Sequence, residues 1–371
     1  MSRTSTRNVS LDVLRGLTLA LMIVVNTPGS WVALYAPLAH AAWHGYTPTD
    51  LVFPTFLFVV GAALRLSENK FAGVGEPRFL WTVFKRGALI FLCGYLLYWF
   101  PFVNDDFGLI PIGGTRIMGV LQRIGLCYLF AALVVRHGGV RGAIGFGVAA
   151  LLAYWWLLWS FGDTTLPGNA PRAVDLAVLG PAHMYRGEGI AFDPEGILST
   201  LPAIVNVLAG YVALAWLDAR GRTTCALRRM AAAAGACLFV ASVWDLALPI
   251  NKKLWTSSYV MLSVGYDLLL LAVLVWLIDI RRQGREHGAL VHVFVVFGRN
   301  PLFIYLLSGA ASTMLWRLQV HGVPLYGWLY RELCLSWAPP KLASLMFATV
   351  FMLACWLVAY GMDRRGIYVR L

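Results

Sequence analysis

VSLDVLRGLTLALMIVVNTPGSWVALYAPLAHAAWHGYTPTDLVFPTFLFVVGAAL, from Val9 to Leu64, decides the fold of this chain. It holds two apolar runs, near Leu11–Val25 and Leu51–Leu66, of about the length that crosses a hydrocarbon core. Asp12, Arg15 and Asn26 sit within or at the end of the first run. The connection from Tyr35 to Pro48 carries His40 and His44 but no Lys or Arg. A charged or amide side chain at bilayer depth faces a protein interior or an aqueous path, and so marks a functional site. On a helix, Asp12, Arg15, Gly16 and Asn26 fall within one arc of roughly 100°, and Arg15 to Asn26 spans about 16 Å of rise. That face is expected to line a path from one surface toward the other. The competing reading of Asp12 and Arg15 is an i,i+3 ion pair that fixes helix packing.

Working outward, the whole chain shares this character. Its residues are 59% hydrophobic and 13% charged, with mean hydropathy +0.70, too apolar for a soluble enzyme, in which about a quarter of residues are charged. An all-α, polytopic integral membrane protein with about ten spans follows. The spans fall near Leu11–Val25, Leu51–Leu66, Trp81–Trp99, Gly119–Val135, Val140–Trp159, Leu198–Leu217, Met230–Leu246, Tyr259–Ile278, Pro301–Trp316 and Leu342–Tyr360. The net charge of +12 invites a nucleic-acid reading, but its distribution argues for a lipid bilayer. Lys and Arg concentrate in the N-terminal tail and in every second connection: Arg3 and Arg7; Arg65, Lys70, Arg78, Lys85 and Arg86; Arg136 and Arg141; Arg220, Arg222, Arg228 and Arg229; Arg281, Arg282 and Arg285; Arg364, Arg365 and Arg370. This positive-inside bias puts both termini in the cytoplasm and His40 outside. Asp12 and Arg15 interrupt what would be the apolar core of a cleavable signal peptide, so the first span is expected to remain as an anchor.

One membrane domain over residues 1–371 is the simplest organisation, since no repeat or long linker divides the chain. The longest polar connection, Ser160 to Ile197, is expected to form an ordered periplasmic cap. Leu318 to Lys341 is too broken for a span and reads as an interfacial or re-entrant segment whose aromatic residues face lipid. The six Cys residues are scattered without CxxC pairing, which suggests neither a disulfide framework nor a metal site. His40 and His44 have i,i+4 spacing, but no HExxH or acidic cluster accompanies them. A neutral imidazole acting as a base is the better reading, and spacing does not choose between the two. Thr47 or Thr49 is placed to cap the second span. Asp50 is placed to cap it, orient a histidine or bind a sugar hydroxyl. Hydrolase, ATPase and dinucleotide-binding signatures are missing from the sequence.

Together, SLDVLRGLTLALMIVVNTPGS and LAHAAWHGYTPTDLVFPTFLFVVG closely resemble the heparan-alpha-glucosaminide N-acetyltransferase family of polytopic acyltransferases. The likeness continues through GVLQRIGLCYL (Gly119–Leu129), LGPAHMY (Leu179–Tyr185), FDPEGILSTLPAIVNVLAGY (Phe192–Tyr211), PINKKLWTSSYVM (Pro249–Met261) and FGRNPLFIYL (Phe297–Leu306). The resemblance implies a transmembrane acyltransferase fold, acetyl-CoA as cosubstrate and a glucosamine amine on the far side of the membrane as acceptor. It maps the family's essential histidine onto His40 of an H-x-x-W-x-G segment completed by Trp43 and Gly45, and the family's first-span asparagine onto Asn26. His40 is then the expected general base and Asn26 the donor to the thioester oxygen. Asp50, Trp43, Glu195, Asn251 and Lys252 are expected to recognise the amino sugar, and Arg15, Gln122 and Arg123 to hold the cofactor or line its path. The shorter N-terminus points to a bacterial inner-membrane relative acting on a free amino sugar or short saccharide, and the family to a homodimer. An amino-sugar transporter without chemistry is the alternative. The lack of a convincing repeat between the halves disfavours it.

Overall fold

The computed structural model describes residues 8–71, 73–104, 106–281 and 288–369; Arg3, Arg7, Arg282, Arg285 and Arg370 lie outside them. The described chain is mostly helical. Its helices are α1 (Val9–Asn26), α2 (Val52–Ser67), α3 (Glu76–Trp99), α4 (Val120–Ser160), α5 (Ala170–Val178), α6 (Thr200–Arg220), α7 (Thr224–Asp245), α8 (Ser257–Leu274, continued by a π-turn to Ile280), α9 (Ala289–Arg299), α10 (Pro301–Arg317), α11 (Leu325–Tyr330) and α12 (Pro340–Arg364). A two-stranded ribbon of β1 (Gln319–Val320) and β2 (Val323–Pro324) is the only sheet among the described residues.

Among the described residues, eight segments are long and apolar enough to cross a membrane, and α9 with α10, bent by 84°, makes a ninth. The difference from ten lies in α4. Its 41 residues would rise about 60 Å, twice a hydrocarbon core. Gly139 breaks it with φ 54 and ψ −149, so residues 120–138 and 140–160 each match one crossing. The turn between them carries Arg136, which binds the carbonyls of Phe71 and Val74 and the carboxylate of Glu76. The bend before α10 also differs from expectation, because α9 adds a half-span ahead of Pro301. Asn300 sits at the bend, donating from Nδ2 to the Ile367 carbonyl and accepting from the Val369 amide.

Backbone hydrogen bonding is satisfied within the helices, as a bilayer requires, and association therefore rests on close packing. Two crossings depend on missing side chains. A Cβ on Gly61 of α2 would lie 1.7 Å from the Val207 carbonyl oxygen of α6, and one on Gly210 of α6 would lie 1.8 Å from that of Phe58. Likewise a Cβ on Gly16 of α1 would lie 1.8 Å from the Phe294 carbonyl oxygen of α9. One core joins α2, α3, α4, α6 and α8 around Phe53, Leu57, Leu121, Val207 and Trp255. Another joins α1, α9, α10 and α12 around Leu19, Ile23, Phe297 and Ile304.

Connections gather at two ends. At one, Gly45 N donates to Ile250 O, Arg116 pairs with Asp193, Ser30 N donates to Ser344 Oγ, and Tyr326 Oη donates to Pro28 O. At the other, Arg65 pairs with Asp218 and Arg222 with Asp279. Among the described residues, the basic connections lie at this second end. Residues 161–199 are ordered by α5, by Asn169 capping it, and by buried Phe192, Asp175 and Asp193. In the 318–341 segment, Tyr326 and Tyr330 turn inward and pack on Ala343 and Phe347, while Trp337 is exposed. Tyr326 and Tyr330 thus serve packing, and Trp337 faces outward as a belt residue would.

Candidate active site

His40 lies in the loop between α1 and α2, at the end of the bundle away from the basic connections. Two residues fix that loop. Gly45 adopts φ +88 and pairs with Asn251 across a parallel bridge, a conformation a side chain would strain. Asp50, 1% exposed, opens the turn that enters α2 and uses both carboxylate oxygens. Its Oδ2 accepts from the amides of Ala41 (3.1 Å) and Thr47 (2.9 Å). Its Oδ1 lies 2.6 Å from Nδ1 of His40. Capping the turn and orienting a histidine, separate possibilities in sequence, are here one residue's work.

A carboxylate on Nδ1 holds that nitrogen protonated and leaves Nε2 as the lone-pair nitrogen. His40 is 36% exposed, so this base is open to a reactant. Lys252, from the α7–α8 connection, brings Nζ to 3.2 Å from His40 Nδ1 and 3.6 Å from Asp50 Oδ1. Burial pushes the Lys252 ammonium below the ordinary lysine range, against the pull of Asp50 and Glu195. Asn251 reaches His44, 3.4 Å from Nδ2 to Nδ1, and holds its own loop by accepting from the Leu254 amide. Trp43 donates to the Thr164 carbonyl and stands edge-on to Phe192, which ties the His40 loop to the 161–199 segment. His40, Trp43, Asp50, Asn251 and Lys252 therefore meet.

Glu195 belongs to the same surroundings through an arginine that sequence reasoning passed over. Arg116 binds both carboxylate oxygens of Asp193 (3.0 and 2.6 Å) and Oε2 of Glu195 (2.6 Å), with its guanidinium against the rings of Tyr98 and Tyr185. Burial acts to raise the Glu195 carboxyl, but the charges of Arg116, Arg123 and Lys252 outweigh it and hold the group below the usual range. The signal for Arg116 was its isolation as a cation in a connection otherwise poor in Lys and Arg. Lys253, also unassigned, donates to the Ala42 carbonyl and to Glu188. His183 is turned to the Thr115 carbonyl and does not join His40.

The remaining residues separate. Asn26 is the last residue of α1, exposed at the same end as His40, with no side-chain hydrogen bond among the described residues. Arg15 lies toward the other end, where it pairs with Asp12 at 3.3 Å and donates to the Gly298 carbonyl at the C-terminus of α9. The packing ion pair is thus present. Gln122 and Arg123 open α4 near the site, both 0% exposed, far from the basic connections. Arg123 donates from Nη2 to Gly196 O and Ser199 Oγ and rests 4.8 Å from the Trp255 ring centroid.

The model of the heparan-alpha-glucosaminide N-acetyltransferase catalytic family matches residues 7–248. The human heparan-alpha-glucosaminide N-acetyltransferase is 29% identical over 80% of this chain, and that of Mus musculus 27% over 80%. The chain spans about half the length of these relatives, 52% of each. The match over residues 7–248, which covers well over half of the chain, shows that it belongs to the heparan-alpha-glucosaminide N-acetyltransferase family.

Proposed function

We propose that this protein transfers an acetyl group from acetyl-CoA to the amine of glucosamine or a glucosamine-containing saccharide. The observation that carries the reading is the His40–Asp50 pair, a buried carboxylate 2.6 Å from Nδ1 of a partly exposed imidazole. The donor supplies an activated thioester. His40 Nε2 takes a proton from the acceptor amine as its nitrogen bonds to the acyl carbon. The C–S bond breaks, and His40 returns that proton to the departing sulfur. Asp50 keeps Nε2 in the receptive tautomer through both transfers. Asn26, with an unpaired amide at the same end, donates to the acyl oxygen as negative charge develops there.

Asp50 acts through His40, leaving Trp43, Glu195, Asn251 and Lys252 to contact the sugar. A Lys252 ammonium favours approach of the neutral amine over its protonated form. We assign the His40 end to the periplasmic face of a bacterial inner membrane and the basic end to the cytoplasm, on the loop-charge bias. A homodimer is assigned on the family likeness. The deciding experiment reconstitutes purified protein with labelled acetyl-CoA and glucosamine. Labelled N-acetylglucosamine is expected; uptake of the sugar with no labelled product would overturn the assignment in favour of a transporter.

A further inference from the structure

Gln122 and Arg123 present buried hydrogen-bonding groups that no part of the described chain uses. Neither the amide oxygen nor the amide nitrogen of Gln122 has a partner, and neither do Nε and Nη1 of Arg123. Both residues are 0% exposed. A buried donor or acceptor left unpaired costs about 1–3 kcal/mol, and more when charged. Both residues are held in place by neighbours. Gln122 lies over Gly94 of α3, where a Cβ would come within 2.5 Å of its Oε1. Arg123 is fixed through Nη2 and by the face of Trp255, whose own Nε1 donates to Asn206 Oδ1. The segment that carries Trp255 also carries Lys252, 3.2 Å from His40. Arg123 thus packs on the segment that reaches His40, and its charge, like that of Lys252, acts on Glu195.

We propose that Gln122 and Arg123 recognise the amide-bearing arm of the acyl-thioester donor, an inference that rests on the function proposed above. A secondary amide offers one C=O and one N–H, which complement the two free functions of Gln122. The pantetheine arm contains two such amides. Arg123, with donors only, serves the carbonyl of the second. From its first amide nitrogen to the sulfur the arm is an unbranched chain, narrow enough to pass between helices, whereas an enclosed pair is closed to a sugar ring. The nearby Glu195 carboxylate, whose ionisation Arg123 favours, disfavours an anionic ligand at the same guanidinium.

The test measures binding by the full-length protein in detergent, titrated with acetyl-CoA and separately with adenosine 3′-phosphate 5′-diphosphate, which lacks the arm. Gln122→Met is expected to weaken acetyl-CoA binding roughly 10-fold while leaving the nucleotide unchanged. Equal affinity in variant and wild type, or equal loss for both ligands, overturns the proposal. Isotope-edited infrared spectra of wild-type protein holding acetyl-CoA with 13C-labelled amide carbonyls need no variant to fold. Lowered amide frequencies, characteristic of strong hydrogen bonding, support the pairing, and frequencies of an unbonded amide overturn it. Wild-type protein that binds no acetyl-CoA at all would overturn the acetyltransferase reading itself, a result distinct from a defect confined to Gln122.

Discussion

With Asp50 Oδ1 2.6 Å from its Nδ1, His40 is held in one tautomer and one rotamer, and each half of that pair has its own signature in the proposed reaction. Replacing His40 by Ala is expected to lower kcat by about 10²–10⁴-fold, the usual worth of a general base, while acetyl-CoA binding persists. Asp50→Asn keeps the shape but presents an amide to Nδ1. A fall in kcat of about 10²-fold with little change in KM for the sugar is expected, and steady-state kinetics at several pH values checks it. A variant with unaltered kcat would show that the carboxylate only caps its turn. Chemical type made His40, Asn26 and Asp50 candidates along the chain, and the family likeness separated His40 from His44. Nothing in the local sequence paired Arg116 with Asp193 and Glu195, 77 and 79 residues away, because that contact is made by the packing of separate connections.

The 161–199 connection has a titration of its own. Asp175 of α5 accepts from the Ile197 amide at 2.8 Å, yet burial raises its carboxyl to about 7, with Asp193 adding to the rise and Arg123 and the amide opposing it. The unfolded chain loses this proton near pH 4. Between pH 4 and 7 the folded protein therefore holds a proton that the unfolded one has released, so stability falls as pH rises through that window and levels above it. Thermal unfolding in detergent is expected to show a lower Tm at pH 8 than at pH 5, with the slope reduced in Asp175→Asn. An unchanged slope would place the titration elsewhere. At the α2–α6 crossing, Gly210→Leu drives a side chain into the Phe58 carbonyl. Overpacking of this kind costs about 1–3 kcal/mol, read as a lower Tm and loss of monodispersity. The spanning helices were visible in sequence as apolar runs, whereas α5, α9 and α11 were not. The break at Gly139 and the bend at Asn300 were visible only as punctuation, because a glycine or an Asn-Pro pair permits a bend without specifying its angle.

Alternating connections divide the protein into a basic end and an end that carries His40, Trp43, Asp50, Asn251 and Lys252. Under the proposed orientation, a cysteine at Val32, 97% exposed in the His40 loop, should react with an impermeant thiol reagent on intact cells once native thiols are removed. Labelling only after lysis would invert the topology. Membrane residence, the helical class and the two-ended charge pattern follow from composition and periodicity, since hydration energy and the length of a helical turn act on every residue wherever its neighbours lie. The partnership of His40 with Asp50 and Lys252, the burial of Arg123 on Trp255 and the role of Arg15 at the α1–α9 crossing do not follow from those rules. They depend on groups up to 283 residues apart meeting in three dimensions, and a contact of that kind exists only after the helices have packed.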